Sequence, residues 1–185
     1  VANSISDHYL PTGLTSELPK KPFSYSISIV DKIDTLVGFF VINEKPTSSK
    51  DPFALRRSAI GLLRIIIENK LSLKLRELIS YAIRLYEEQG VQIQNEKTEQ
   101  EVLHFTKERM RNILKLKNLK TDIVEAAISS HAGDNFLDLY SKTILMNKYK
   151  NKDVGLNAIS SYKRVSNILD KAGKGITGRP DAVLF

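Results

Sequence analysis

From Phe23 onward, apolar residues recur every three or four positions, the period of a helix face rather than the alternation of a half-buried strand. Over residues 24–42, Ile29, Ile33, Leu36, Val37 and Phe40 keep that period despite many β-branched neighbours, and the spacing predicts a deeply buried helix. Residues 43–50 read as a loop. Asp51-Pro52 then opens the clearest helix, with Asp as N-cap and Pro at the first helical position, where its missing N–H costs no bond. This helix is expected to reach about Asn69, with Phe53, Ile60, Leu63 and Ile67 on its apolar side. Further helices are expected over 73–88, from Thr98 through Val102, Phe105, Met110 and Leu114, and over 121–130, 134–148 and 153–171. Thr98 and Glu101 have the spacing of a capping box, in which each side chain satisfies the other's backbone amide. Glycines and a proline make 172–180 a loop. No stretch alternates as a strand would, so the predicted fold class is all-α.

The 185 residues suffice for one domain or two small ones, and 42% hydrophobic with 26% charged residues is an ordinary soluble composition. No apolar run approaches the roughly 18 to 20 residues of a membrane helix, so no membrane partner is expected. Cysteine is absent, which excludes a disulfide scaffold, a thiolate zinc site and a cysteine nucleophile, and accords with a cytoplasmic location. Lys and Arg exceed Asp and Glu by 28 to 21, a net charge of +7 that suits a polyanionic partner such as nucleic acid. The start at Val1 and the apolar Val183-Leu184-Phe185 ending suggest a piece of something longer.

Catalytic chemistry is thin. His8, His104 and His131 share no metal-ligand spacing, and no metalloprotease, Walker or nucleophile-elbow motif occurs. No catalytic residue and no metal site is therefore expected in this piece. Asp31 and Asp34 interrupt an apolar helix. Burying a carboxylate is costly unless it is paired or bound to metal, so Asp31 reads as a metal ligand or as an anchor for Lys32, Lys50 or an arginine of the next helix. Arg56 and Arg57 begin a basic stretch in which Arg57, Gly61 and Arg64 share one stripe. A mid-helix glycine implies that something approaches the backbone closely. Guanidiniums beside such a gap suit RNA phosphates or a partner's carboxylates, or else pair with Asp31, Asp34 or Asp51. In 162–169, Tyr162, Val165 and Leu169 are spaced as a buried face, leaving Lys163, Arg164 and Asn167 outward as a workable RNA-contacting surface.

In this order the clusters resemble one family, the β subunit of the bacterial heterotetrameric glycyl-tRNA synthetase. The resemblance rests on Asp31-Lys-Ile-Asp-Thr-Leu-Val-Gly-Phe-Phe40 running into Lys45-Pro-Thr-Ser-Ser-Lys-Asp-Pro-Phe-Ala-Leu-Arg-Arg57, then on Gly61-Leu-Leu-Arg-Ile-Ile66. Lys163-Arg-Val-Ser-Asn-Ile-Leu169 resembles the signature helix of a DALR-type anticodon-binding domain. Ser48 departs from the family's usual Gly, which bears on the local turn, since Ser fits positive φ poorly.

The resemblance implies a helical body (46–130) between the end of an HD-like helical domain (1–45) and the start of the anticodon-binding bundle (131–185). It implies an enzyme only as a subunit of glycine–tRNA ligase, with glycine tRNA and the α subunit as partners. ATP and Mg2+ serve the whole enzyme, whose catalytic core lies in the α subunit, and this piece alone binds no cofactor and is inactive. Arg56, Arg57, Arg64, Lys163, Arg164 and Asn167 become the expected tRNA or interdomain contacts. Asp31 falls at a degenerate HD ligand position. The alternatives are a scaffold contacting the α subunit and a residual HD-type metal phosphohydrolase.

Overall fold

The structure is a computed structural model that describes residues 7–172 apart from 14 and 132. Seven helices follow in order among the described residues, with no strand: α1 (Pro22–Val41), α2 (Leu55–Glu68), α3 (Leu75–Glu88), α4 (Thr98–Leu116), α5 (Thr121–Ser130), α6 (Phe136–Tyr149) and α7 (Asp153–Ala172). The all-α expectation holds. The chain divides into two compact units, 1–144 and 145–185. The loop expected over 172–180 lies outside the described residues, except that α7 runs to Ala172.

In the first unit α1 is central and packs against α2, α3 and α4, while α4 also meets α2, α3 and α5. Leu36, Val37 and Val41 of α1 are fully buried together with Leu63 and Ile65 of α2, Met110 and Leu114 of α4 and Val124 of α5. Each fully buried aliphatic side chain contributes about 1.5–3 kcal/mol relative to exposure, so this shared core dominates the stability of the unit.

The helix starts correct the sequence reading in two places. Asp51-Pro52 does not begin α2. Residues 51–54 make a separate turn, the Ala54 N–H donating to the Asp51 carbonyl, and Ala54 sits at the N-cap in the left-handed region at φ 55°. Asp51 still caps the helix from outside it, its carboxylate accepting from the amides of Leu55 (2.9 Å) and Arg56 (3.0 Å). The buried face of α2 carries Leu55, Ala59, Leu62, Leu63 and Ile66; Ile60 and Ile67 are half-buried, and Phe53, which lies before the helix, stays exposed, stacked on Phe39 at 4.0 Å.

The capping box at Thr98 does not form. The Thr98 hydroxyl donates to the carbonyl of Asn95 (2.6 Å), while Glu101 accepts from Asn95 Nδ2 (2.8 Å) and pairs with Lys45. A cationic partner and a nearer amide side chain outcompete the backbone N–H for that carboxylate.

Three helix ends close alike. Asn43, Lys70 and Gly90 follow α1, α2 and α3 with φ between 53° and 79°, and the next amide reaches back to the helix, from Glu44 to Phe39, Leu71 to Ile66 and Val91 to Tyr86. These are Schellman closures, for which glycine is the best-suited residue. At the other end, α3 is capped from far along the chain, Asp134 accepting from the Arg76 amide at 2.8 Å.

In the second unit the turn into α7 is tight. A Cβ on Gly155 would collide with the Tyr149 carbonyl, 2.9 Å from its carbon. Lys152 Nζ stands 5.2 Å from the Tyr149 ring centroid. The face expected to be buried on α7 is open, with Tyr162 74%, Val165 54% and Leu169 49% exposed.

Candidate nucleic-acid interface

The charged group buried on α1 is Lys32, not Asp31. Asp31 and Asp34 are exposed, whereas Lys32 is 5% exposed. Ser24, Ser28 and Lys32 follow one another at four-residue spacing on a polar stripe of α1, which binds the preceding chain. Ser24 donates to Asp7 Oδ2 (2.9 Å), Ser28 to the Leu10 carbonyl (2.6 Å) and Lys32 Nζ to the His8 carbonyl (3.2 Å) and Ser28 Oγ (2.9 Å). Burial pushes the Lys32 pKa below its ordinary value, against the pull of neighbouring Asp31. The Lys32 stem crosses α2 at Gly61, where a Cβ would meet Cε at 2.7 Å and Cδ at 3.3 Å. The gap at Gly61 is thus filled from within the chain.

The three arginines of α2 diverge. Arg64 is a tie, with Nη1 donating to the carbonyls of Gly13 (2.6 Å) and Ser16 (2.9 Å) while Nε and Nη2 bind Glu68. Arg57 is exposed and lines a hollow of about 260 Å³ with Asp31, Lys32, Tyr9 and Thr12. Asp31 and Arg57, both singled out from the sequence, thus share a hollow. Asp31 stands there beside two cations, and no three His, Asp or Glu side chains among the described residues converge as metal ligands. The donor set does not fit a divalent ion, since adjacent lysine and arginine charges oppose one.

Arg56 points elsewhere. It donates to the Thr47 carbonyl, pairs with Asp51 at 4.0 Å and enters a groove of about 570 Å³ between the 45–48 loop and α4. The groove also holds Arg109, which the sequence reading missed. Arg109 lies over the Phe105 ring, Cζ 4.4 Å from the centroid, with Nε and Nη1 buried and without a hydrogen-bond partner. Burial, then the nearby Arg56 charge, lowers its pKa. The legible signal was the aromatic–arginine pair four residues apart on one helix. Ser48 lines the same groove and does not take positive φ, so the side chain does not strain this turn.

In the second unit Lys163, Arg164 and Asn167 are exposed on α7, and neither cation forms an ion pair among the described residues. Tyr162 lies adjacent, so this helix presents bases, an amide and an aromatic ring to solvent.

A family model described as "Glycyl-tRNA synthetase beta subunit" matches residues 1–129. The chain is 38% identical over 185 residues, its whole length, to the glycine–tRNA ligase beta subunit of Rickettsia canadensis, covering 26% of that protein. It is 34% identical over 172 residues to that of Clostridioides difficile, covering 93% of this chain and 25% of the relative. To that of Rhodospirillum centenum it is 36% identical over 169 residues, covering 91% and 23%. The chain thus spans about a quarter of the length of these relatives, and it belongs to the glycyl-tRNA synthetase β-subunit family.

Proposed function

We propose that this chain is a tRNA-binding part of the β subunit of glycine–tRNA ligase. It supports ATP-dependent attachment of glycine to its tRNA, with catalysis in the α subunit of a cytoplasmic heterotetramer. The observation that carries the reading is α7, whose Lys163, Arg164 and Asn167 face solvent beside a 74%-exposed Tyr162 in a chain of net charge +7. Cations neutralise phosphates, while an exposed ring and amide stack on and bond to unpaired bases. Arg57 and Arg56 of α2 are further contacts for RNA or a neighbouring domain, and Arg64 acts as an internal tie. In this reading Mg2+ and ATP belong to the remainder of the enzyme, and this piece alone is inactive.

The test is a titration of labelled glycine tRNA at low and physiological salt, with a non-cognate tRNA as control. Phosphate contacts predict a log–log slope of about −0.7 to −0.9 per contact, and Lys163→Ala with Arg164→Ala should flatten it by about two contacts. Binding with cognate preference places recognition in these helices. No binding at either salt refutes the RNA role and leaves α7 and the α2 arginines as contacts to the α subunit, which a pull-down with isolated α subunit then reads.

A further inference from the structure

The groove between the 45–48 loop and α4 carries positive charge that its acidic neighbours among the described residues only partly balance. Of its acidic residues, Glu101 is held by Lys45 and Asn95, and Glu108 by Arg111. Asp51 spends its two oxygens on backbone amides and reaches Arg56 only at 4.0 Å. Among the described residues two guanidiniums, Arg56 and Arg109, therefore share one surplus positive charge, and Arg109 keeps two shielded nitrogens, Nε and Nη1, without an acceptor. A buried unsatisfied donor on a charged group costs more than an ordinary hydrogen bond returns, so such an arrangement calls for a counter-anion.

We propose that this groove is a phosphate subsite, in which Arg109 and Arg56 clamp one phosphate group and the Thr47 and Ser48 hydroxyls and His104 surround it. Rotation of the guanidinium on the Phe105 face turns its shielded edge to the ligand, the ring keeping the cation in register. Phosphate suits the site better than carboxylate because two guanidiniums, two hydroxyls and an imidazole offer more donors than two carboxylate oxygens accept. Ser48 supplies one of those hydroxyls. The inference goes beyond the tRNA reading: a free phosphate or a mononucleotide would satisfy it as well as an RNA backbone.

The experiment uses the chain as it stands. Inorganic phosphate, a 5′-mononucleotide and a short single-stranded RNA are titrated separately at fixed ionic strength, with chloride as reference, by calorimetry and thermal shift. Arg109→Met removes the charge and keeps the stem. Ser48→Glu, at an exposed position, places a carboxylate in the groove without touching the core. Arg84→Met, on exposed α3 surface over Tyr81, removes one charge elsewhere. At least one phosphate probe should bind wild type and Arg84→Met alike, and bind Arg109→Met and Ser48→Glu about 10- to 100-fold more weakly. Binding of inorganic phosphate or the mononucleotide identifies a small-molecule source, and binding of RNA alone identifies the backbone source. Equal loss in Arg84→Met and Arg109→Met, or no probe bound above chloride, would each overturn the proposal. Because free phosphate is tested without tRNA, failure here and failure of the tRNA reading are separate results.

Discussion

Gly38 on α1 faces Tyr86 of α3. A Cβ there would fall well inside contact with the Tyr86 hydroxyl and 3.0 Å from Cζ. That hydroxyl donates to Asp34 Oδ1 at 3.0 Å. Gly38→Ala gains about 1 kcal/mol of helix propensity. Against it stand overpacking, about 1–3 kcal/mol, and loss of a hydrogen bond to a carboxylate, about 1.5 kcal/mol at an exposed site. The net expectation is destabilisation by about 2 kcal/mol, a fall in Tm of about 4–8 °C. Tyr86→Phe alone should cost about 1 kcal/mol, since exposed Asp34 is resolvated by water. With the hydroxyl gone, Gly38→Ala meets only the ring edge, and its cost should drop to near zero, a coupling of about 1–2 kcal/mol. Urea unfolding of the four proteins by circular dichroism measures the cycle. Additive single mutants, or a Gly38→Ala protein as stable as wild type, would refute the view that glycine is required here by the tyrosine.

Asp51→Ala removes the acceptor for two amides of α2 and should cost about 1–2 kcal/mol in the same unfolding assay. Lys70→Gly, at φ 53° after α2, should stabilise by about 1 kcal/mol, and a loss of stability would contradict the left-handed closure assigned there. Burial and the Asp34 bond push the Tyr86 pKa to about 12 from an ordinary 10. Below pH 10 both folded and unfolded chains hold the proton; above it the unfolded chain loses it first, so stability should fall between pH 10 and 12. Tyr86→Phe should shallow that fall, as denaturation followed across this range will show.

The helices were legible because a three-to-four residue period survives over long stretches, as in Ile29, Ile33, Leu36 and Phe40. Their starts were not, because Asp51 caps across an intervening turn, and Glu101 is claimed by Lys45, a residue whose proximity only the fold reveals. Asp31 and Lys32 are neighbours about 100° apart on a helix, and periodicity alone did not say which lies at the edge of the core. The Ser24, Ser28 and Lys32 spacing carried that information, but only once the chain at 7–10 is known to lie against it. At the candidate site, the exposure of Lys163 and Arg164 was readable from their position against Tyr162, Val165 and Leu169, whereas the openness of that apolar stripe was not. Arg109 escaped because its importance comes from a loop more than fifty residues earlier in sequence.

The polar stripe of α1 and the Arg64 tie have a consequence for the order of folding. They hold Asp7, His8, Leu10, Gly13 and Ser16 by hydrogen bonds, whereas the helical core is joined by apolar burial. Polar contacts exchange readily with water, so this segment should dock after the core has formed and leave before it melts. Its departure would expose the Lys32 stem and remove Pro11 from the backbone at Gly61. The amides of α1 nearest Ser24 and Ser28 should accordingly exchange hydrogen faster than those around Leu36, although both belong to one continuous helix.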